Sequence, residues 1–320
     1  MKMIYATIFY ENQEQLCCID GVGGRVFLLK EFFRQEYGGE RFRQECSQES
    51  LRQKCSRESD PASMMDFIYA YRAEWTDRIA LFFGQHPEYA IPLEEVKLLA
   101  PIPAPARNMI CLGKNYPSHI NELKGHTFTD KLPEHPIYFT KPDHTVIGTE
   151  EAILLHKSST SKVDYEVELA VIIGKKGMDI PKEKAEEYIF GYTVANDVSA
   201  RDLQQDHTQW YKGKSLTTHC PMGPWIVHKS VLPLPLSLDL KCYINGELRQ
   251  QGNTRDLIFD IPAIISDLSR GYELRPGDVI LTGTPAGVGM CFDPPKYLQA
   301  GDRVICQIEK IGILTNPVGD

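Results

Sequence analysis

The chain has 320 residues, 42% of them hydrophobic, with a formal net charge of -8 and a sequence pI of about 5.7. That length and apolar content specify a folded globular protein with a sizeable core, while the acidic balance excludes an electrostatic footprint for nucleic acid and gives little pull toward anionic membranes. The opening MKMIYATIFYENQEQ lacks the unbroken apolar core of a signal peptide, and no later stretch reaches the roughly 18 apolar residues of a membrane span, so a cytoplasmic location is expected.

In chain order, a strand is predicted at MIYATIFY (3–10), turn chemistry at DGVGG (20–24) and a second strand at Arg25 to Leu29. The charged segment 36–63 reads as either a solvated helical excursion or a mobile loop. From Ser63 to Gly84 aromatic and aliphatic residues recur at helical spacing, the pattern of an amphipathic helix. Pro101, Pro103 and Pro105 then make LLAPIPAPARN (98–108) an extended connector. This divides the chain into a small N-terminal α+β domain (1–97), a linker (98–107) and a second domain (108–320).

Beyond the linker short strands dominate: Met109 to Leu112, Ile137 to Thr140, Asp164 to Ile173, Ile189 to Asn196, Trp225 to His228, Leu238 to Ile244, Val279 to Thr282 and Arg303 to Ile308. Helices are expected only near Lys182 to Tyr188 and Ile261 to Ser269. Turn signals such as Asn245-Gly246 separate many of the strands, and the whole reads as α+β, mainly β, with a curled and largely antiparallel sheet. The nine cysteines show no CxxC pair or zinc-like spacing, and reduced thiols are expected.

Four segments carry chemistry. In CLGKNYPSHINELKGH (111–126), Asn115 is a candidate cap, and Pro117 in a first helical turn would set His119 and Glu122 one turn apart. At that spacing a carboxylate can orient an imidazole as a general base, although a surface helix pair has the same pattern. In VDYEVELAVIIGK (163–175), alternation puts Asp164, Glu166, Glu168 and Ala170 on one strand face, and Tyr165, Val167, Leu169 and Val171 on the other. Such a face is either the solvated side of an edge strand or a cation site. In GYTVANDVSARDLQQ (191–205), strand character stops at Asn196-Asp197, where Asp197 either caps the next turn or points back to join the two glutamates. All-oxygen ligation by Glu166, Glu168 and Asp197 suits Mg²⁺ first, with Mn²⁺ and Ca²⁺ as alternatives.

The run DYEVELAVIIGK, then YTVANDVSARDLQ, then KGKSLTTHCPMGPWIV (212–227), then LTGTPAGVG (281–289), in that order and spacing, resembles the fumarylacetoacetate hydrolase family. The resemblance covers roughly residues 105 to 315. It implies a mixed β-roll fold, a homodimer, and Mg²⁺ or Mn²⁺ on Glu166, Glu168 and Asp197. It also implies that His119 and Glu122 act as the catalytic dyad. Lys214, in a partly apolar setting, is expected to stabilise an oxyanion or enolate. Arg201 and Gln204 are assigned to substrate carboxylate or carbonyl contacts, and Thr284 to a substrate carboxylate through its hydroxyl and nearby N–H groups.

The chemistry expected is metal-stabilised enolate formation on a 2-oxo acid, with His119-activated water cleaving a carbon–carbon bond in a 1,3-dioxo acid. Decarboxylation of an oxaloacetate-like acid and isomerisation or tautomerisation are the alternatives within the family. A metal-binding scaffold without activity is the alternative of another class, and the joint presence of His119, Glu122 and Lys214 argues against it. Leu216, Thr217 and His219 depart from the GKSFDTF of many relatives, and His219 reads as a structural histidine. Gly213-Lys214-Ser215 ends like a phosphate-binding loop, yet Thr208 stands where that pattern needs glycine.

Overall fold

A computed structural model describes residues 3–21, 24–45, 61–124 and 132–320. Its spine is a twelve-stranded sheet. From one edge the order runs Ile91–Pro92, Arg25–Leu28, Gln13–Asp20, Ile4–Tyr10, Cys220–His228, Ile189–Asn196, Val167–Ile173, Val279–Leu281, Met109–Gly113 and Ile137–Lys141, with Lys97–Leu98 and Val146–Ile147 pairing off this path. A five-stranded sheet (Glu247–Asn253, Asp239–Ile244, Arg303–Ile308, Gly312–Gly319, Ile153–Leu154) packs against it. Most pairings are antiparallel, and neither sheet closes into a barrel.

Alternation along Val167–Ile173 decides what each face touches. Val167, Leu169, Val171 and Ile173 enter the core shared with Leu240, Cys242 and Val304 of the smaller sheet. Ala170 and Ile172 enter the opposite core, built with Phe67, Trp75 and Phe83 from helices of the first ninety residues. This strand pairs on both sides, with Ile189–Asn196 and with Val279–Leu281. It is no edge strand, and the solvated reading of its carboxylate face falls with that.

The sheet does not stop at the proline-rich segment. Ile4 pairs with Val227 and Tyr5 with Ile226, so the first strand extends the larger sheet directly. Three strands of more than two residues lay outside the sequence reading: Gln13–Asp20, Glu247–Asn253 and Gly312–Gly319. The first begins on Gln13-Glu14-Gln15, the second carries Arg249-Gln250-Gln251 in a row and the last contains Pro317, so their local patterns are weak and pairing with a neighbour defines them. The turn at Asn245-Gly246 is as expected, both residues adopting positive φ (52° and 84°) in a two-residue hairpin.

The helix expected over 63–84 is two helices, Met64–Ala70 and Ala73–Gln85, interrupted at Tyr71 and Arg72, which take extended backbone angles. The 182–188 segment is a 3₁₀ helix. Of the charged 36–63 segment, residues up to Glu45 continue a helix that starts at Leu29, and 46–60 lie outside the described residues, as do 22–23 of the glycine turn. No helix among the described residues is long and apolar enough to cross a membrane.

Where the first strand joins the sheet, His228 is 4% exposed, with the rings of Phe190 and Tyr71 centred 5.3 and 5.1 Å away. Burial pushes its imidazole down to about 4. An imidazole in the unfolded chain titrates near 6.5, so as pH falls from about 6.5 to about 4 the unfolded state takes up this proton and the folded state does not. Folding stability should therefore fall on acidification across that window, His228 contributing up to about 1.4 kcal/mol per pH unit. Urea midpoints measured from pH 7 to pH 4.5 should show that slope, and His228→Gln should flatten it.

Candidate metal centre and active site

The metal-ligand candidates sit where the central strand begins and its neighbour ends. The chain is not paired as a strand at Tyr165 and Glu166, and side-chain amides take over: Asn196 Oδ1 accepts the N–H of Glu166 and Gln250 Oε1 that of Val167, each at 2.9 Å. The backbone N–H of Asp197 donates to the Glu166 carbonyl at 2.9 Å, which brings the end of one strand to the start of the other. Asp197 is thus no helix cap: its side chain turns back to the cluster. Glu166, Glu168 and Asp197 each offer a carboxylate oxygen within 4.8 Å of the others, and all three are buried.

Cations surround two of the three carboxylates. Lys214 Nζ donates to Glu166 Oε2 and Asp197 Oδ2, both at 2.7 Å, and lies 5.0 Å from the centre of the Phe139 ring. Arg201 pairs through Nη2 with Glu166 Oε1 at 2.7 Å and through Nε with Asp164 Oδ2 at 2.9 Å. Lys141, wholly buried, donates to Asp197 Oδ1 at 2.7 Å and to the Val198 carbonyl at 2.9 Å. Burial alone would raise the Glu166 carboxyl, but Lys214, Arg201 and His119 outweigh it and hold Glu166 well below the usual carboxylate range. Glu168 goes the other way. Burial and the negative charges of Asp197 and Glu166 push it well up, and Lys214 and the N–H of Gly283, which it accepts at 2.7 Å, only partly offset them.

Among the described residues, Asp164, Glu166, Glu168 and Asp197 face Lys141, Arg201 and Lys214, so the buried acids outnumber the cations paired with them by one. An uncompensated charge in the interior is costly, and a divalent cation would remove the conflict. The three candidate ligands supply oxygen alone, so the cluster fits a hard cation of the Mg²⁺ or Mn²⁺ kind.

Beside it lies a cavity of about 170 Å³ lined by Glu166, Glu168, His119, Gln204, Lys214 and Thr284 among others. His119 and Glu122 lie on the helix Pro117–Glu122, with Pro117 in its first turn as expected. Asn115 does not cap it. Its amide is buried between loops, donating to the carbonyls of Phe259 and Thr282 and accepting the N–H of Phe259. His119 Nδ1 meets Glu122 Oε1 at 2.6 Å, and Glu122 Oε2 accepts the N–H of Gly287 at 2.7 Å. Because an ionised carboxylate only accepts, this places the proton on Nδ1 and leaves the Nε2 lone pair as the base.

Of the nine candidate site residues, all but Glu122 and Asp197 line this one cavity, and those two are bonded to residues that do. The Arg201 guanidinium is taken up by Asp164, Glu166 and Gln204, whose Oε1 it meets at 3.1 Å. That bond engages the amide oxygen of Gln204 and leaves its nitrogen to donate elsewhere. Thr284 Oγ1 donates to the Val167 carbonyl and accepts from Gln250 Nε2. His219 is buried against the Leu154 carbonyl at 2.9 Å and does not line the cavity, in keeping with a structural role. Sequence reasoning missed Lys141 and Gln250. A lysine closing the apolar strand IYFTK just before Pro142 was a signal for the first, whereas Gln250 sits in the polar run ELRQQGN and had none.

Residues 108–319 match the family described as fumarylacetoacetate (FAA) hydrolase C-terminal. The chain is 49% identical over 247 residues, 77% of its length and 80% of the relative's, to an oxaloacetate tautomerase of Bacillus subtilis (strain 168). Among solved structures it is similar to a fumarylacetoacetate hydrolase from psychrophilic Exiguobacterium antarcticum, with a TM-score of 0.75, 33% identity and 99% of both chains covered. It is also similar to maleylpyruvate hydrolase from Sphingobium sp. SYK-6 in complex with manganese(II) ion and pyruvate, with a TM-score of 0.71, 26% identity and 99% of both chains covered.

Two stability measurements test the cluster. Mg²⁺ at about 100 times its Kd should stabilise the wild type by about 2.7 kcal/mol, and Glu168→Gln should lose that increment while folding at least as well without metal. Lys141→Met should cost about 3–5 kcal/mol in chemical denaturation, since it strands Asp197 with a buried charge.

Proposed function

The chain belongs to the fumarylacetoacetate hydrolase family, and from that premise we propose that it is a divalent-metal-dependent tautomerase of a short 2-oxo dicarboxylic acid such as oxaloacetate. Glu166, Glu168 and Asp197 would hold Mg²⁺ or Mn²⁺. When bound, the cation supplies Lewis-acid polarisation of the 2-oxo group and stabilises the enolate charge.

The chain's own residues do the rest. Gln204, its amide nitrogen set free by the bond from Arg201, orients the substrate carboxylate. His119, held by Glu122 with its Nε2 lone pair exposed to the cavity, would carry the proton between the enol oxygen and the carbon next to the 2-oxo group, taking it from the hydroxyl and delivering it to that carbon when the enol becomes the keto acid. Lys141 and Arg201 keep Asp197 and Glu166 ionised and in place.

The observation that carries tautomerisation ahead of carbon–carbon hydrolysis is the state of Lys214. Hydrolysis needs both a placed water and a donor for the oxyanion at a second, more distant carbonyl, and the Lys214 ammonium, with two of its three N–H groups on Glu166 and Asp197 at 2.7 Å each, keeps one donor for all of this. Moving a proton needs only one base and one stabilised enolate. The 49% identity to an oxaloacetate tautomerase supports the same order. Hydrolysis of an acylpyruvate is the second reading, favoured by the hydrolase likenesses and by the aptness of His119 and Glu122 for activating water.

The reading carries with it a homodimer and a cytoplasmic setting, and an N-terminal region (1–97) that extends the catalytic sheet across the 98–107 connector. Decay of the ultraviolet absorbance of enol-oxaloacetate, with Mg²⁺ and with chelator, tests the activity; pyruvate release from acylpyruvates and from oxaloacetate is measured in parallel. Metal-dependent loss of the enol without pyruvate is expected, and pyruvate release from an acylpyruvate alone would establish the second reading instead. His119→Asn should lower kcat by about 10²–10⁴-fold, and Glu122→Gln by less.

A further inference from the structure

Thr284 lines the cavity in company with Glu166 and Glu168. The direction of each hydrogen bond at its hydroxyl follows from partners that admit only one role. Gln250 is wholly buried; its Oε1 accepts the backbone N–H of Val167 at 2.9 Å, and its Nε2 donates to the backbone carbonyl of Pro285 at 2.9 Å. A backbone N–H only donates and a carbonyl only accepts, so two independent contacts fix the same orientation of the amide. The second Nε2 hydrogen goes to Thr284 Oγ1 at 2.8 Å. Having accepted that bond, the threonine sends its one proton to the Val167 carbonyl at 2.9 Å. Any hydroxyl function that Thr284 turns to the cavity is a lone pair.

We propose that Gln250 is a positioning residue that fixes Thr284 as a hydrogen-bond acceptor, so that this wall of the cavity selects a substrate oxygen bearing a proton, the enol hydroxyl of a 2-oxo acid, over a keto or carboxylate oxygen. A keto oxygen and a carboxylate only accept, and against a committed lone pair they gain nothing. An enol oxygen also donates. The carboxylate contact expected of the Thr284 hydroxyl from sequence is thereby replaced, and the role passes to groups with free protons such as the Gln204 amide. The inference deepens the tautomerase reading and takes its substrate class from it, but it concerns which form is bound rather than which bond changes.

Binding of two unreactive probes to the Mg²⁺-loaded protein tests it by calorimetry. Glycolate carries a hydroxyl donor, and oxalate, of similar size, has acceptors only. The readout is the ratio of the two dissociation constants. Thr284→Val should weaken glycolate about tenfold, the worth of one hydrogen bond, and leave oxalate unchanged or tighter; Thr284→Ser should restore the wild-type ratio. Gln250→Met removes the bond donated to Thr284 Oγ1, and with it the restraint that helps keep the hydroxyl proton on the Val167 carbonyl, and should shift the ratio toward oxalate, whatever it does to the melting temperature. Oxalate weakened as much as glycolate by Thr284→Val would overturn the proposal. An unchanged ratio in Gln250→Met overturns it too, and decides the matter if Thr284→Val does not fold. Turnover is not read here, so a lack of tautomerase activity in the separate assay counts against the functional reading alone.

Discussion

A buried group of carboxylates that outnumbers, among the described residues, the cations paired with it, placed where the central strand begins, is the constraint around which the site is arranged. Asp164, Glu166, Glu168 and Asp197 would repel one another apart if the chain offered only Lys141, Arg201 and Lys214 against them. Asp164 is further held by the N–H groups of Gly289 and Met290, and Glu168 by that of Gly283. Gly283 has φ of +97°, and a Cβ there would lie 2.8 Å from Asn115 Cβ, so the loop can aim its N–H at Glu168 only with glycine in place. The remaining conflict falls on Glu168, the ligand candidate without an ammonium or guanidinium bonded to it among the described residues.

The sheet makes that conflict inescapable. Glu168 is buried on the sheet face, and the apolar residues that alternate with it lock the register, since a slip of one residue would move Val167 and Leu169 out of their core. At the start of the strand the side chains of Asn196 and Gln250 take the N–H groups of Glu166 and Val167. Gln250 thus serves both the backbone that carries the ligands and the hydroxyl of Thr284, and links the stability of the strand end to the polarity of the cavity.

Much of this was legible in the chain because it is local. Period-two alternation in VDYEVELAVII put Tyr165, Val167, Leu169 and Val171 on one face and Ala170 on the other, faces that the structure packs into separate cores, and the i, i+3 spacing of His119 and Glu122 put their side chains in contact. What stayed hidden depends on partners far along the chain. Lys141 finds Asp197 across 56 residues, Gln250 finds Val167 across 83, and Ile4 pairs with Val227. Asn115 shows the same limit from the other side: its position before a helix suggested a cap, whereas contacts to Phe259 and Thr282 claimed its amide. Local pattern fixes faces and turns, while the counter-ions of a buried site are chosen by topology.

Enolate stabilisation is the step common to every reaction considered for this site, and it can be isolated from bond cleavage. Pyruvate has the 2-oxo acid head but no second carbonyl and no distal carboxylate, so exchange of its methyl protons in D₂O reports enolate formation alone. Proton NMR of pyruvate with the wild-type protein should show exchange that requires Mg²⁺ or Mn²⁺ and disappears in His119→Asn. Exchange no faster than in buffer containing the metal, with protein that turns over another substrate, would contradict the account.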